Sequence, residues 1–511
     1  MFLDNKDIQK QETAKNTETS SYRSIFKATS LFGGVQAYQI LIEIVKSKVI
    51  ALLLGPMGVG ISGLYMSATG LIQNFTSFGL SSSAVRNVSE ANNSGDTKQI
   101  ARVVFALRRL VWITGLLGMI VVILTSPILS KTSFGDYNHI IPFIVLSVTL
   151  LLIQINAGKR VILQGTRRLK DLAKSSTIGI TVGFCIAVPL YYLLGVKGIV
   201  PNIVISSVVT LLITWWFARK VSIEKVSLNT KEVFGIGKSM LIMGAAMSLS
   251  MVLASLSSYV LLASIRLWGG VEIVGLFTAG YILMTNYTGL VFNAMGTDYY
   301  PRLAAVNQDN EKCRVLMNQQ GVIGFLLIAP LLVMCVIYIP IVVRILYSEK
   351  FLPINGYIVW CSLGMMFKMA SWAIAFVFIA KAESKLYMIN EFTVAVYTLL
   401  FNLLGFKLGG LSGLGISFTV SYFLYMIQVF VIAKMKYGFY FESQLIYIFI
   451  SQFILIICSM MVAFFLTTYW KYMLGSLIML FSCYYSFKEL NKRMDLVNVI
   501  KLKLNVGRKK E

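Results

Sequence analysis

The sequence predicts an all-α polytopic membrane protein: two pseudo-symmetric six-helix lobes around a central cavity, then two extra C-terminal helices, about 14 transmembrane helices in all, with both termini cytoplasmic. Three observations carry that expectation. Hydrophobic residues make up 57% of the 511-residue chain and charged residues only 13%, whereas a soluble domain carries about 25% charged residues. Lysine and arginine are segregated along the chain in the way that sets membrane orientation. Finally, short similarities recur at one constant spacing, the mark of a duplication.

Apolar runs long enough to span a bilayer, about 20 residues, fall at 24–54, 58–80, 101–129, 140–163, 173–194, 198–218, 236–264, 271–298, 315–345, 354–380, 386–408, 412–433, 445–468 and 471–487. The fourteenth is short. The first 23 residues are polar with no apolar core of a signal peptide, so the first span is expected to direct insertion. With the N-terminus inside, 36 of the 46 Lys and Arg residues fall on the cytoplasmic side. Cations near a span's end, such as Lys27, Arg108 and Lys159, belong to the side they adjoin; seven lie toward the other side, and Lys46, Lys48 and Lys368, inside spans, are assigned to neither. This distribution explains the net charge of +24 as a membrane-topology signal and excludes a nucleic-acid partner.

The repeat sets the domain plan. Gly58-Val59-Gly60 resembles Ile273-Val274-Gly275, and Gly195 and Gly198 match Gly410 and Gly413, all at an offset of 215. Gln164-Gly165 falls at 216 on Ala380-Lys381, and the connection 81–100 matches 297–314. The expected plan is a polar cytoplasmic tail at 1–23, an N-lobe at 24–218 (spans 1–6), a cytoplasmic linker at 219–235 and a C-lobe at 236–436 (spans 7–12). Spans 13 and 14 at 445–487 and a basic cytoplasmic tail at 488–511 complete it. Six spans per lobe is an even number, so the lobes run parallel about an axis along the membrane normal, the plan of a transporter that alternates access by rocking.

The first span carries the most polar stripe. Gln36, Gln39, Glu43 and Lys46 sit at i, i+3, i+7 and i+10, within roughly an 80° arc of a helix at about 100° per residue. Such a face should meet protein or water, because a charge at membrane depth costs at least about 2.5 kcal/mol. Glu43 and Lys46 can equally neutralise each other. Lys48 lies off the stripe, where snorkelling and cavity lining explain it equally well. Lys368 is the sharpest residue: within 357–380 it lies roughly 17 Å from either end at 1.5 Å per residue. Cavity lining is favoured there over a packing ion pair. Arg86 and Arg302 occupy near-equivalent places after spans two and eight, suited to an anionic head group and equally to ordinary positive-inside arginines. Asn74, Gln154, Asn156, Asn286 and Asn293 add uncharged polarity inside spans, whereas Gly244, Ser248, Ser255 and Ser258 read as a helix-packing seam.

Several chemistries are excluded. The six cysteines are scattered, without a C-x-x-C pair, and read as small buried hydrophobes; His139 is the single histidine. No phosphate loop, catalytic triad or zinc spacing appears. The expectation is therefore no enzyme, no catalytic residue, no cofactor and no metal.

Lys48-x6-Gly55-Pro56-Met57-Gly58-Val59-Gly60, Val274-Gly275-Leu276 through Tyr300-Pro301-Arg302-Leu303, and Phe367-Lys368-Met369 through Ile379-Ala380-Lys381-Ala382 to Tyr387 and Glu391 resemble a known pattern. It is that of the polysaccharide repeat-unit (O-antigen type) flippases of the multidrug/oligosaccharidyl-lipid/polysaccharide (MOP) superfamily, over residues 25–436. The resemblance implies transfer of an undecaprenyl-diphosphate-linked oligosaccharide (O-antigen, capsule or exopolysaccharide) from the cytoplasmic to the outer leaflet of the bacterial plasma (inner) membrane. It implies the lipid bilayer, and polysaccharide polymerase and chain-length machinery, as partners. Lys46, Lys48 and Lys368 have the sign that a diphosphate requires. Some relatives carry acids just before the lysine of span ten and in span eight; here those places read Met365-Met366 and Thr285-Asn286. Glu43 and Glu391 are left as candidates for ion or proton coupling. Two other readings remain: a cation-coupled multidrug exporter of the same superfamily, and a membrane assembly factor that transports nothing.

Overall fold

The computed structural model describes residues 5–224 and 226–494; the side chains of 5–34, 36–37, 246, 287, 297, 468 and 494 lie outside the described set. Its elements are helical throughout: α1 (Asn5–Thr76), α2 (Leu80–Asn93), α3 (Thr97–Phe134), α4 (Ile140–Gly165), α5 (Leu169–Leu194), α6 (Ile199–Ala218), α7 (Thr230–Ala305), α8 (Asn310–Leu346), α9 (Asn355–Ala380), α10 (Ser384–Tyr437), α11 (Ser443–Phe465) and α12 (Thr468–Met494). An apolar chain in lipid has no water to satisfy its backbone, and a helix pairs those groups within itself. The fold class expected from the sequence is therefore present: a polytopic all-α membrane protein.

Among the described residues nine helical stretches are long and apolar enough to cross a membrane. Four of them are pairs of helices. α1 breaks at Gly55, α7 at Gly270, α10 at Gly409–Gly410, and α5 meets α6 through a 3-10 turn at Gly195–Gly198. Split at those breaks, the nine become thirteen, and α12 is the fourteenth segment, in register with the fourteen apolar runs. α12 has 27 residues and is not among the nine.

The breaks repeat at the spacing of the sequence repeat. Gly55 and Gly270 have φ of +63° and +84°, and Gly195 and Gly410 share φ +55°. Arg167 and Ala382, separated by the same offset, both have φ +56° although neither is glycine. α4 starts at Ile140 and ends at Gly165, and α9 starts at Asn355 and ends at Ala380. This helix end thus follows the common offset rather than the 216 read from Gln164-Gly165. Asp96 and Asp309 cap α3 and α8 alike, accepting from the backbone N–H of Lys98 and of Glu311 and Lys312.

The chain forms two compact units: residues through Leu54 with Tyr65–Ser255, and Gly55–Leu64 with Leu256 onward. In the first, α3 and α4 pack closely along glycines; a Cβ at Gly158 would lie 3.0 Å from Val111 Cγ1, and one at Gly115 2.9 Å from Leu151 Cδ1. The turn Phe78–Gly79 of this unit presses on α7. A Cβ at Gly79 would lie 2.1 Å from the Gly244 carbonyl oxygen, so only glycine fits this φ +57° position. Gly244 thus serves as packing, as its small-residue neighbourhood suggested.

In the second unit α9 is the buried centre, with Tyr299, Ile374, Val377, Phe378 and Val429 in one apolar cluster. Segment 55–64 joins it by a near-symmetric backbone contact. A Cβ at Gly60 would lie 2.1 Å from the Val271 carbonyl oxygen, and one at Gly275 1.8 Å from that of Pro56. Each partner is again the repeat equivalent of the other. α11 and α12 lie against α8: Tyr338 and Ser476 hydroxyls are 2.6 Å apart, and the buried Gln452 bridges Ser486 and Ser482 at 2.8 Å each.

Two local expectations are corrected. The connection 81–100 contains a helix, α2, whose buried side is Leu80, Ala84, Val88 and Ala91; its equivalent in the second repeat is continuous with α7 through Ala305. Cys313 and Cys361 are buried, but Cys185 and Cys483 are exposed. In a bilayer, exposure on a spanning helix still means an apolar neighbour, so the small-hydrophobe role survives without burial.

Candidate functional site

Lys368 lies at the middle of α9, half-buried among apolar neighbours. Its Nζ sits 5.5 Å from the ring centre of Phe292 on α7 and 5.2 Å from that of Tyr422 on α10. Among the described residues no carboxylate forms an ion pair with it. Two ring faces offset part of the desolvation of an ammonium, about 0.5–2 kcal/mol for such a contact, but leave its charge unneutralised. The cage is itself held in place. Phe292 packs edge-on to Trp372 at 5.4 Å, and Tyr422 lies 4.6 Å from Phe418.

Tyr422 leads to a second polar group in the same unit. Its ring is 6.3 Å from Tyr425, whose hydroxyl accepts from Asn390 Nδ2 at 3.3 Å. Gln428 Nε2 donates to Asn390 Oδ1 at 2.6 Å. Glu391, next to Asn390 in the chain, is half-buried near Tyr425. A central cation and a half-buried carboxylate are thus placed at the two ends of one aromatic and amide cluster.

The first unit holds a neutral counterpart. Gln73 Nε2 donates to Gln154 Oε1 at 3.0 Å, and Gln154 Nε2 donates to Thr114 Oγ1 at 2.9 Å. Asn74 Nδ2 donates to Ser255 Oγ at 2.5 Å. Among the described residues Gln73 Oε1 is buried without a hydrogen-bond partner, so this polar patch has acceptor capacity left over; Asn156 Oδ1, also on α4, is likewise buried without one.

The remaining sequence-singled residues fall elsewhere. Lys46 Nζ is 3.6 Å from Glu43 Oε1, so these two pair with each other on α1. Gln39 and Lys48 are half-buried on the same helix; the Gln36 side chain lies outside the described residues. Arg86 pairs with Glu90 at 2.7 Å and Arg302 with Asp298 at 3.2 Å, both exposed and both one helical turn apart. Asn286 is exposed. Sequence reasoning did not find Phe292, Tyr422, Gln73 or Thr114, because apolar rings and single amides in apolar spans look like ordinary core.

Comparison with solved structures places the fold. The chain is similar to the lipid II flippase MurJ in an inward closed conformation (TM-score 0.70, 13% identity, covering 91% of this chain and 99% of that one). It is similar to an inward-facing multidrug resistance MATE family transporter of the MOP superfamily (0.65, 17%, 78% and 94%). A MOP superfamily transporter from Pyrococcus furiosus also matches (0.57, 14%, 81% and 96%). No curated protein matches in sequence. At these identities the likeness shows the fold alone, which this chain shares with those three proteins. The family model described as polysaccharide biosynthesis protein matches residues 49–355, more than half of the chain, and the protein belongs to that family.

Proposed function

We propose that this protein is a flippase that moves undecaprenyl-diphosphate-linked oligosaccharide repeat units from the cytoplasmic to the outer leaflet of the bacterial plasma membrane by alternating access. The observation that carries the reading is Lys368, an uncompensated ammonium at mid-span held between Phe292 and Tyr422. A diphosphate with sugars cannot cross hydrocarbon unaided, and a cation that has no ion pair among the described residues is available to its charge. Membership of a polysaccharide biosynthesis family and the fold shared with a lipid II flippase support the same reading. In this reading both termini face the cytoplasm, which the charge distribution supports. The N-lobe (24–218) and C-lobe (236–436) are the bodies that rock, and Gln39, Asn74 and Lys48 add polar lining in the first. Glu391, half-buried near Tyr425, is the group for proton or ion coupling. A multidrug exporter for cationic drugs would place an acid, not Lys368, at mid-span.

The test is a proteoliposome assay with a fluorescent undecaprenyl-diphosphate-linked oligosaccharide. Wild-type protein should flip the probe and Lys368→Ala should not. An inactive wild type would end the flippase assignment, whereas full activity in the variant would remove Lys368 from it. Expulsion of ethidium with no flipping would favour the exporter.

A further inference from the structure

A cationic cleft opens on the α3–α4 pair, beside the Thr114–Gln154 end of the amide patch but lined by other side chains. Its cavity of about 70 Å³ is lined by Arg108, Trp112, Ile155 and Lys159, over a floor where Gly158 meets Val111. That is room for a group larger than one water. Neighbouring cations are engaged on other faces: Arg109 donates to Thr230 Oγ1 at 3.4 Å and Arg160 to Ser176 Oγ at 3.1 Å. Arg108 and Lys159 instead line one cavity together, and among the described residues neither has an ion pair. No carboxylate lines it. Two cations lining one cavity without an acid repel, so an anion placed between them stabilises the arrangement.

What leads away from the cleft is apolar and exposed. Trp112, Leu116, Ile120 and Leu124 recur every four residues on α3, with exposures of 50, 41, 51 and 72%. On a helix they form one track, about 18 Å long at 1.5 Å per residue. Half of a bilayer's hydrocarbon thickness is about 15 Å. Ile141, Val145 and Val148 are exposed on α4. A charged pocket at one end of a lipid-length track matches a phospholipid, with phosphate and acyl chain in register.

We propose that this cleft is a binding site for an anionic membrane phospholipid: Arg108 and Lys159 hold the headgroup phosphate, Trp112 sits at the glycerol level, and an acyl chain lies along Leu116 and Ile120. The site is separate from the transported cargo, and the proposal stands whether or not the flippase reading does. Basic pockets between membrane helices are a recurring form of headgroup recognition.

Native mass spectrometry of the full chain in detergent tests it with phosphatidylglycerol, phosphatidylcholine and undecaprenyl phosphate as probes. Wild type should hold phosphatidylglycerol at least tenfold more tightly than phosphatidylcholine. The double variant Arg108→Gln/Lys159→Gln should weaken phosphatidylglycerol about thirtyfold, at roughly the gain expected for two surface cations, while Arg109→Gln leaves it unchanged. Equal retention of the two phospholipids by wild type overturns the site, and that comparison decides even if the double variant does not fold. Unchanged binding in a folded double variant also overturns it. Undecaprenyl phosphate displacing phosphatidylglycerol at equimolar concentration, in an Arg108-dependent way, would assign the cleft to the cargo route instead.

Discussion

α4 and α9 are the same helix twice, both of their ends matching at the offset of the repeat, yet they carry opposite kinds of polarity. In α9, Lys368 brings a charge to mid-span and Phe292 and Tyr422 surround it. The equivalent position in α4 is Ile153, 44% exposed, and its neighbour Gln154 forms a neutral amide chain with Gln73 and Thr114. The backbone frame has been retained while the side chains have diverged. What is retained is where glycine or a positive φ is needed to turn the chain. What has diverged is what the helices present, so charge in this fold is a local choice laid on a symmetric scaffold.

That comparison can be broken first at the frame. Gly275→Ala would put a Cβ 1.8 Å from the Pro56 carbonyl oxygen, and backbone cannot yield as a side chain tip does. A loss of more than about 3 kcal/mol is expected, seen as collapse of monodisperse yield and melting temperature. Gly289→Ala, with open space at its Cβ, should leave both unchanged.

The charge is the next target. Lys368→Ala should cut flipping at least about tenfold, the loss of one charge-assisted contact worth about 1.5–3 kcal/mol, while the melting temperature is kept or raised. Lys368→Arg should retain part of the rate. A parallel fall in folding and flipping would make Lys368 a packing residue.

Giving α4 the residue of its twin sharpens the contrast. Gln154→Met, copying Met369, removes the partner of the Gln73 amide and should cost about 1–3 kcal/mol in thermal denaturation. An unchanged melting curve would show that the amide chain is not what holds α1, α3 and α4 together.

The smallest effect lies just before the following helix. Glu383 in the second repeat pairs with Lys436, whereas the equivalent Arg168 in the first pairs with Asp171 at 3.8 Å. The hydrogen bond from Lys436 holds the Glu383 carboxyl below the ordinary glutamate range. Folding therefore lowers this pKa, so the stabilisation is fully present above about pH 4.3 and is lost as pH falls through the lower folded value. For a solvent-screened pair it amounts to less than about 1 kcal/mol. Melting curves of wild type and Glu383→Gln should differ at pH 7 and converge toward pH 3; a gap that widens in acid would refute the assignment.

The frame was largely legible from residue types. Spanning length is written in continuous apolar runs, and helix breaks are written in Gly55, Gly195, Gly270 and Gly410, because few other residues tolerate positive φ. Lys368 stood out because a charge in hydrocarbon is rare. Its cage did not, since Phe292 and Tyr422 belong to other helices, distant along the chain, and aromatic residues are common in spans. α2 was hidden by its serines and asparagines, although Leu80, Ala84, Val88 and Ala91 already carried a helical period. The Glu43–Lys46 pair needed only local spacing, and it reduces the stripe on α1 to a less charged surface than its composition suggests.

The Gly60–Gly275 contact has the form of a homodimer interface, in which a surface meets its own copy: residue 60 touches 271 and residue 275 touches 56. In an actual homodimer every substitution appears twice, and a lysine at mid-span would face the lipid cost in both subunits. Joined in one chain, the two copies are inherited separately. A single mutation then changes one side only, which is the condition under which an ammonium can occupy α9 while α4 keeps isoleucine.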